Sequence, residues 1–371
     1  MDKKFVMSIA AMAALTLVSC SSDDLDSFSD NSSKNEAISF DGYWGRSAVA
    51  VNGSRSTMLN DKEALQGLEA GFGVFGNYKE ADGKEFGANL FDNQPVTYKA
   101  SAWTYSPLKF WPTQGHIDFL AYAPYDSKYA NKVTKDNQKL DFIVEPDIKN
   151  QKDLLWANNA VDQTKDNIST TGNKVKFHFY HALSRLGYTV NLYRDYSSNP
   201  DNKATFTLDE ITLAGSSDGS KNAFYKTGTI DLSKANGAGD LWDTSSSSAN
   251  EGKQNFPWVS SKKPVDNTGI NNAETDYLFV IPQDFSKDKP AEGPDVDELY
   301  VIVKYTITYK DGKEQTNKVY KQIKKHFLQG KAYRLNLTIG LPIEFDVDVV
   351  EDWGTEDNIY IGSDGNTPWD R

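Results

Sequence analysis

The chain of 371 residues contains a single cysteine, Cys20. One thiol closes no disulfide within its own chain and builds no cysteine-based zinc site. The chemistry left to it is that of an isolated thiol near the start of the chain. Two histidines, His178 and His181, stand three residues apart in a run with strand character. On a strand they face opposite ways, and no third His or Cys lies nearby, so they read as structural residues. Asp346, Asp348, Glu351 and Asp352 gather carboxylates near the C-terminal end without the spaced, glycine-containing loop of a recognised calcium site. Alternation there makes Val347 and Val349 the buried face and the aspartates the wet one. Residues 71–76, "GFGVFG", match G-x-G-x-x-G letter for letter. A dinucleotide site needs that run between a strand and a helix, and no amphipathic helix follows. No G-x-S-x-G elbow, H-E-x-x-H or P-loop is found. No catalytic residue, metal or cofactor is assigned, and the chain reads as a non-enzyme.

The surroundings of Cys20 give its thiol a use. Asp2, Lys3 and Lys4 precede an apolar run from Phe5 to Val18 broken only by Ser8 and Thr16. That is a charged start followed by an apolar core of secretory-signal length, too short to span a bilayer stably. The sequence Leu17-Val18-Ser19-Cys20 then resembles the bacterial lipoprotein signal, in which the thiol takes a diacylglycerol and the peptide is cut just before it. An ordinary secretory signal with an incidental cysteine is the bland alternative, but Cys20 falls where the cut should be. Residues 1–19 are accordingly assigned as signal peptide. Two or three acyl chains, at about 0.8 kcal/mol per buried CH2, hold a soluble domain firmly to a membrane. Residues 20–36 are dominated by Ser, Asp and Asn and form a flexible tether. Asp23 and Asp24 resemble the acidic export signal of some surface lipoproteins.

About 335 residues remain to fold, enough for two domains. The chain has 19 Tyr, 19 Phe and 8 Trp, with 26 Gly and 13 Pro breaking it into short pieces, a composition that favours strands. A net charge of −12 offers no basic stripe to neutralise phosphates, which argues against nucleic acid. Strand patterns recur at 38–43, 72–78, 117–122, 175–180, 188–193, 206–213, 277–281, 299–309, 317–323, 333–339 and 343–350. The run 299–309 keeps period two throughout, and Asp311-Gly312 turns the chain back in a hairpin. Helix is expected only at 61–70, capped by Asn60, and for one turn at 181–186. Many short strands with few helices imply an all-β chain of two tandem sandwiches, 37–183 and 184–371.

Residues 96–125 order a W-x-Y, a W-P pair and a strand ending A-Y-A-P-Y. "KDLLWA" at 152–157, "VKFHFYHALSRLGYTVNL" at 175–192, "GKAYRLNLTI" at 330–339 and "VVEDW" at 349–353 follow. Together with the lipoprotein start, this order resembles the fimbrillin family of the FimA/Mfa-like type. The resemblance implies a type V pilus subunit of two transthyretin-like sandwiches, delivered by its lipid anchor to the outer membrane and the cell surface. It implies that an Arg-specific protease removes the first strand, and that a strand from another pilus subunit replaces it. Here 38–43 is the first strand, and Arg46 and Arg55 follow it. Arg55 is preferred, because Asn52-Gly53-Ser54 offers an extended approach. The donor is the C-terminal region 343–350, through Ile343, Phe345, Val347 and Val349, with 358–361 beyond it. The polymer serves adhesion to host or bacterial surfaces. The alternative is a surface lipoprotein that binds glycans on stacking platforms such as Trp103 and Trp111, which read equally well as core.

Overall fold

The computed structural model describes residues 36–44, 59, 62–80, 89–198, 203–247, 249–273, 276–288, 296–341 and 345–351. Strands β1 (Phe40–Trp44), β2 (Phe72–Lys79), β3 (Asn89–Lys99), β4 (Ala102–Thr104) and β5 (His116–Ala123) open the chain. β6 (Lys139–Ile143), β7 (Leu155–Ala157), β8 (Val175–His181), β9 (Ser184–Leu192) and β10 (Ala204–Ala214) follow. The all-β expectation holds. Seven of these strands form one sheet in the order β1-β8-β7-β5-β2-β3-β4. Every neighbouring pair is antiparallel except β1 with β8.

Alternation along β5 explains how this sheet serves two cores. Ile117, Phe119 and Ala121 join a cluster built only from residues between Ile38 and Phe179, whereas Leu120 and Tyr122 join a larger cluster reaching to Val347. Successive side chains point to opposite faces, so a sheet covered on both sides is apolar at nearly every position. β2 accordingly has six buried residues in a row.

The three glycines of "GFGVFG" are explained by this sheet. Gly71 takes φ +64, and a Cβ there would lie 1.9 Å from the Val96 carbonyl oxygen. A Cβ on Gly73 would lie 2.3 Å from the Tyr122 ring, and one on Gly76 2.8 Å from Phe91. The spacing that mimics a phosphate loop lets the Val96 backbone and the Tyr122 and Phe91 rings come close to the chain.

In the second half β10 is flanked by Phe256–Val259 and the long strand Tyr300–Tyr309, which returns through Glu314–Gln322. The expected hairpin is present, with Gly312 at φ +79 in its turn. A second sheet sets β9 parallel to Ala332–Ile339 and ends on the C-terminal strand Phe345–Glu351. Tyr188 of β9, Phe206 of β10, Tyr305 and Leu337 lie in the same buried cluster. A three-stranded sheet joins β6 to Thr227–Asp231 and Trp242–Asp243, tying residues of the first half to the second.

Two local expectations are corrected. The turn of helix expected at 181–186 is the end of β8 and the start of β9. Ala182, Leu183 and Leu186 are all buried, and the Ala182 N–H bonds to the Leu154 carbonyl, so this backbone is committed to sheet pairing. At 61–70 the helix is shorter than expected. α1 covers only Lys62–Gln66 and gives way at Gly67.

Candidate assembly site: the β1 edge

β1 is the terminal strand of its sheet and runs parallel to β8, with Phe40 opposite Val175 and Trp44 opposite Phe179. The N–H of Val175 donates to the Ser39 carbonyl at 2.8 Å. The segment just ahead of β1 is held from another side. The Ile38 N–H donates to the Lys109 carbonyl at 2.8 Å, and the Tyr105 hydroxyl donates to the Ile38 carbonyl at 2.7 Å. Burial raises the Tyr105 phenol above its ordinary value, partly opposed by its bond from the Lys109 amide. The hydroxyl therefore keeps its proton and remains a donor.

The side chains fill a groove of fixed shape. Ile38 and Phe40 are 1% and 2% exposed. The Phe40 ring stands 5.4 Å from Phe91 and Tyr105, 5.6 Å from Phe119 and 5.7 Å from Phe177. Full burial of each such side chain contributes about 1.5–3 kcal/mol. Two residues on, the groove has no room: a Cβ on Gly42 would lie 2.8 Å from the Leu65 methyl of α1. Outside it, Lys62 of α1 pairs with Asp41 at 3.2 Å. The site thus takes an aliphatic residue, an aromatic and a glycine at alternate positions, with a carboxylate facing a lysine between the last two.

The chain re-enters this cluster at Leu59, which is 2% exposed. Its N–H donates to Asp153 Oδ2 at 3.2 Å, and His181 Nδ1 lies 2.9 Å from each Asp153 oxygen. Asp153 is only 1% exposed, so its carboxylate holds the Leu59 backbone from inside the core. Sequence reasoning missed this pin. Its one signal is an aspartate directly before an apolar run in "KDLLWA".

Of the residues singled out in the sequence, Cys20, Arg46, Arg55 and Ile343 lie outside the described residues. Phe345, Val347 and Val349 fall in the C-terminal strand, which pairs antiparallel with Ala332–Ile339 of the same chain at a sheet edge. Val347 is buried and Val349 half-buried. Lys321 pairs with the Asp346 carboxylate, and its Nζ donates to the Val347 carbonyl at 3.1 Å. His178 stacks on Tyr180 with centroids 4.5 Å apart, and burial lowers its pKa. Among the described residues no three His, Cys, Asp or Glu side chains gather around a metal position. The tryptophans offered as sugar platforms are packed. Trp111 is 5% exposed, and half-buried Trp103 meets Phe72 edge-on at 4.8 Å.

Comparison with known proteins addresses the same chain. Fimbrium subunit Fim1C of Phocaeicola vulgatus is 26% identical over 390 residues, covering 94% of this chain and 96% of that protein. The crystal structure of a fimbrial protein from Bacteroides vulgatus superposes with a TM-score of 0.64 at 20% identity, over 86% of this chain and 99% of that one. That likeness is one of fold. The family model described as fimbrillin-like matches residues 62–353, most of the described chain. The chain belongs to the fimbrillin-like family.

Proposed function

We propose that the chain is a pilus subunit, exported as a lipoprotein on Cys20 to the outer membrane and polymerised by strand exchange to serve adhesion at the cell surface. In this reading its two sandwiches are 37–183 and 184–371. A cut after Arg55, or after Arg46, frees β1 from the rest of the chain. A strand from a neighbouring subunit then takes its place, and the donor lies in the C-terminal region around Phe345, Val347 and Val349.

One observation carries the reading. β1 is an edge strand anchored in the core by Phe40, with buried Ile38 just ahead of it, and the two arginines lie between it and Leu59 in sequence. Removing such a strand leaves a row of unpaired backbone groups over an apolar groove, which another extended chain satisfies by strand addition. While the chain between β1 and Leu59 is intact, β1 remains at high local concentration beside its groove. A cut there removes that advantage. The test is to treat the purified precursor with a trypsin-like protease. It should lose its N-terminal segment and form oligomers stable to mild detergent, while the double variant Arg46→Ala, Arg55→Ala stays monomeric. Equal polymerisation of that variant would exclude strand release as the gate.

A further inference from the structure

Among the described residues Lys253 is the only buried lysine, at 8% exposure. Its ammonium meets Asp297 Oδ1 directly and lies 5.4 Å from the centre of the Tyr225 ring. The other carboxylate oxygen, Oδ2, accepts two donors, the Gln283 amide at 2.6 Å and the Tyr225 hydroxyl at 3.2 Å. Gln283 is itself buried, and its amide nitrogen is fixed by a second bond to the Ala223 carbonyl at 2.9 Å. Burial and the Asp297 charge raise the Tyr225 phenol, so its hydroxyl keeps its proton and remains a donor. Phe224, next to Tyr225 in sequence, packs against Phe256 and Phe285 at 5.4 and 5.5 Å, so an apolar cluster joins the segments that carry these groups. The pairs Lys234–Asp240, Lys321–Asp346 and Lys324–Asp288 touch as closely, yet both partners of each are exposed. We propose that Lys253 and Asp297 are joined by an amide bond between Nζ and Cγ, formed by loss of one water from the ion pair.

Taking an ammonium and a carboxylate out of water costs several kcal/mol, which their attraction offsets only in good geometry. A neutral amide in their place removes that cost, and the half-buried flank of Asp297 lets the water leave. The atoms balance within the pair. One ammonium proton passes to Oδ1, and the freed amine attacks Cγ. Charge then collects on Oδ2, where the Gln283 and Tyr225 donors already stand, as an oxyanion site requires. A second proton passes from the nitrogen to Oδ1, which leaves as water when its bond to Cγ breaks. The third hydrogen stays on the amide nitrogen. Fixed neighbours hold the reacting atoms together, which brings an ordinarily slow condensation within reach. The bond fastens the short strand Lys253–Gln254 to the residues that lead into the long strand Tyr300–Tyr309. A chain with one cysteine cannot close a disulfide, and this amide constrains the unfolded chain in the same way.

The test reads mass and needs no assembly, so it stands apart from the strand-exchange reading. The full-length chain is purified, denatured, digested with trypsin and analysed by mass spectrometry. One branched peptide should appear, joining residues 235–262 to residues 288–304 through Lys253 and Asp297. It should weigh one water less than its two arms together, with no cut after the blocked Lys253. Lys253→Arg and Asp297→Ala should each abolish it. Gln283→Leu removes one donor from Oδ2 and should slow its appearance after cell-free synthesis by about 100-fold. An unchanged rate in that variant would overturn the oxyanion role given to Gln283. The wild-type digest alone decides the bond, whether or not a variant folds. Two separate peptides, with cleavage after Lys253, would leave an ordinary ion pair and overturn the proposal. So would a water lost within one arm alone, or a branched peptide that survives Asp297→Ala.

Discussion

Asp153 shows how much a single buried side chain can decide. Its two oxygens hold the Leu59 amide and the His181 ring, and almost none of it meets water. Asp153→Ala removes both acceptor oxygens and leaves the Leu59 amide without its bond. An unsatisfied buried group costs about 1–3 kcal/mol. The Leu59 amide should then exchange its hydrogen faster by about one to two orders of magnitude, with the Tyr300–Tyr309 amides unchanged. Equal protection of Leu59 in the two proteins would show that Asp153 does not hold the Leu59 backbone. Phe40→Ala addresses the upstream strand. Loss of a buried phenyl costs about 3–5 kcal/mol, and it should expose residues 38–44 to exchange while leaving Leu59 protected. Cys20 belongs to the same scale by its chemistry. Cys20→Ala should leave the precursor unlabelled by fatty acid and absent from the membrane fraction. Retention with unchanged labelling would remove the lipoprotein assignment.

Among the elements, β2 marks the line between what sequence reveals and what it hides. Phe72, Val74 and the absence of a following helix were enough to read a strand where a nucleotide motif was spelled. What the glycines do there was not legible, because Tyr122 and Phe91 reach them from 15 or more residues away in sequence. Gly73→Ala would drive a methyl into the Tyr122 ring, whose hydroxyl is fixed by a 2.7 Å bond to Asn93. Such overpacking costs about 1–3 kcal/mol, and a melting temperature equal to wild type would show that the ring can step aside. The long alternating strand at Tyr300–Tyr309 was legible for the opposite reason: one face meets the core at every second residue, so period two survives in the sequence. The short strands β4 and β7 carry three residues each, too few for any period to register. Residues 181–186 misled because "HALSRL" contains good helix formers, and the partners that commit it to a sheet, Leu154 and the strand Ala332–Ile339, come from elsewhere in the chain. The same limit hid the surroundings of β1. The strand and its two arginines could be seen; the lid of α1, the Tyr105 bond and the Asp153 pin depend on tertiary neighbours.

At the scale of the whole molecule, the question is whether the two halves answer to each other. β6 belongs to the first half by sequence but pairs residue for residue with Thr227–Asp231, Leu140 facing Ile230 and Phe142 facing Gly228. Leu140 and Phe142 are buried in the larger cluster, together with Trp156 and Tyr122 of the first sheet and Tyr188 and Leu335 of the second half. Further bonds run the same way. The Trp242 indole donates to the Ala182 carbonyl at 2.9 Å, and the Phe279 amide donates to Gln151 Oε1 at 2.8 Å. An interface between independent domains is usually more polar and smaller than a shared core. A subunit that passes strain from one neighbour to the next gains from such a junction, because neither half can open without breaking packing in the other. Denaturant unfolding should therefore give one transition, with exchange protection in β2 and in Tyr300–Tyr309 lost at the same denaturant concentration. Leu140→Ala, which empties part of the shared cluster at a cost of about 2–5 kcal/mol, should shift both probes together. Two separate transitions, with the substitution moving only one, would show that the halves are bound covalently but not energetically, and that load crosses between them through the linking backbone alone.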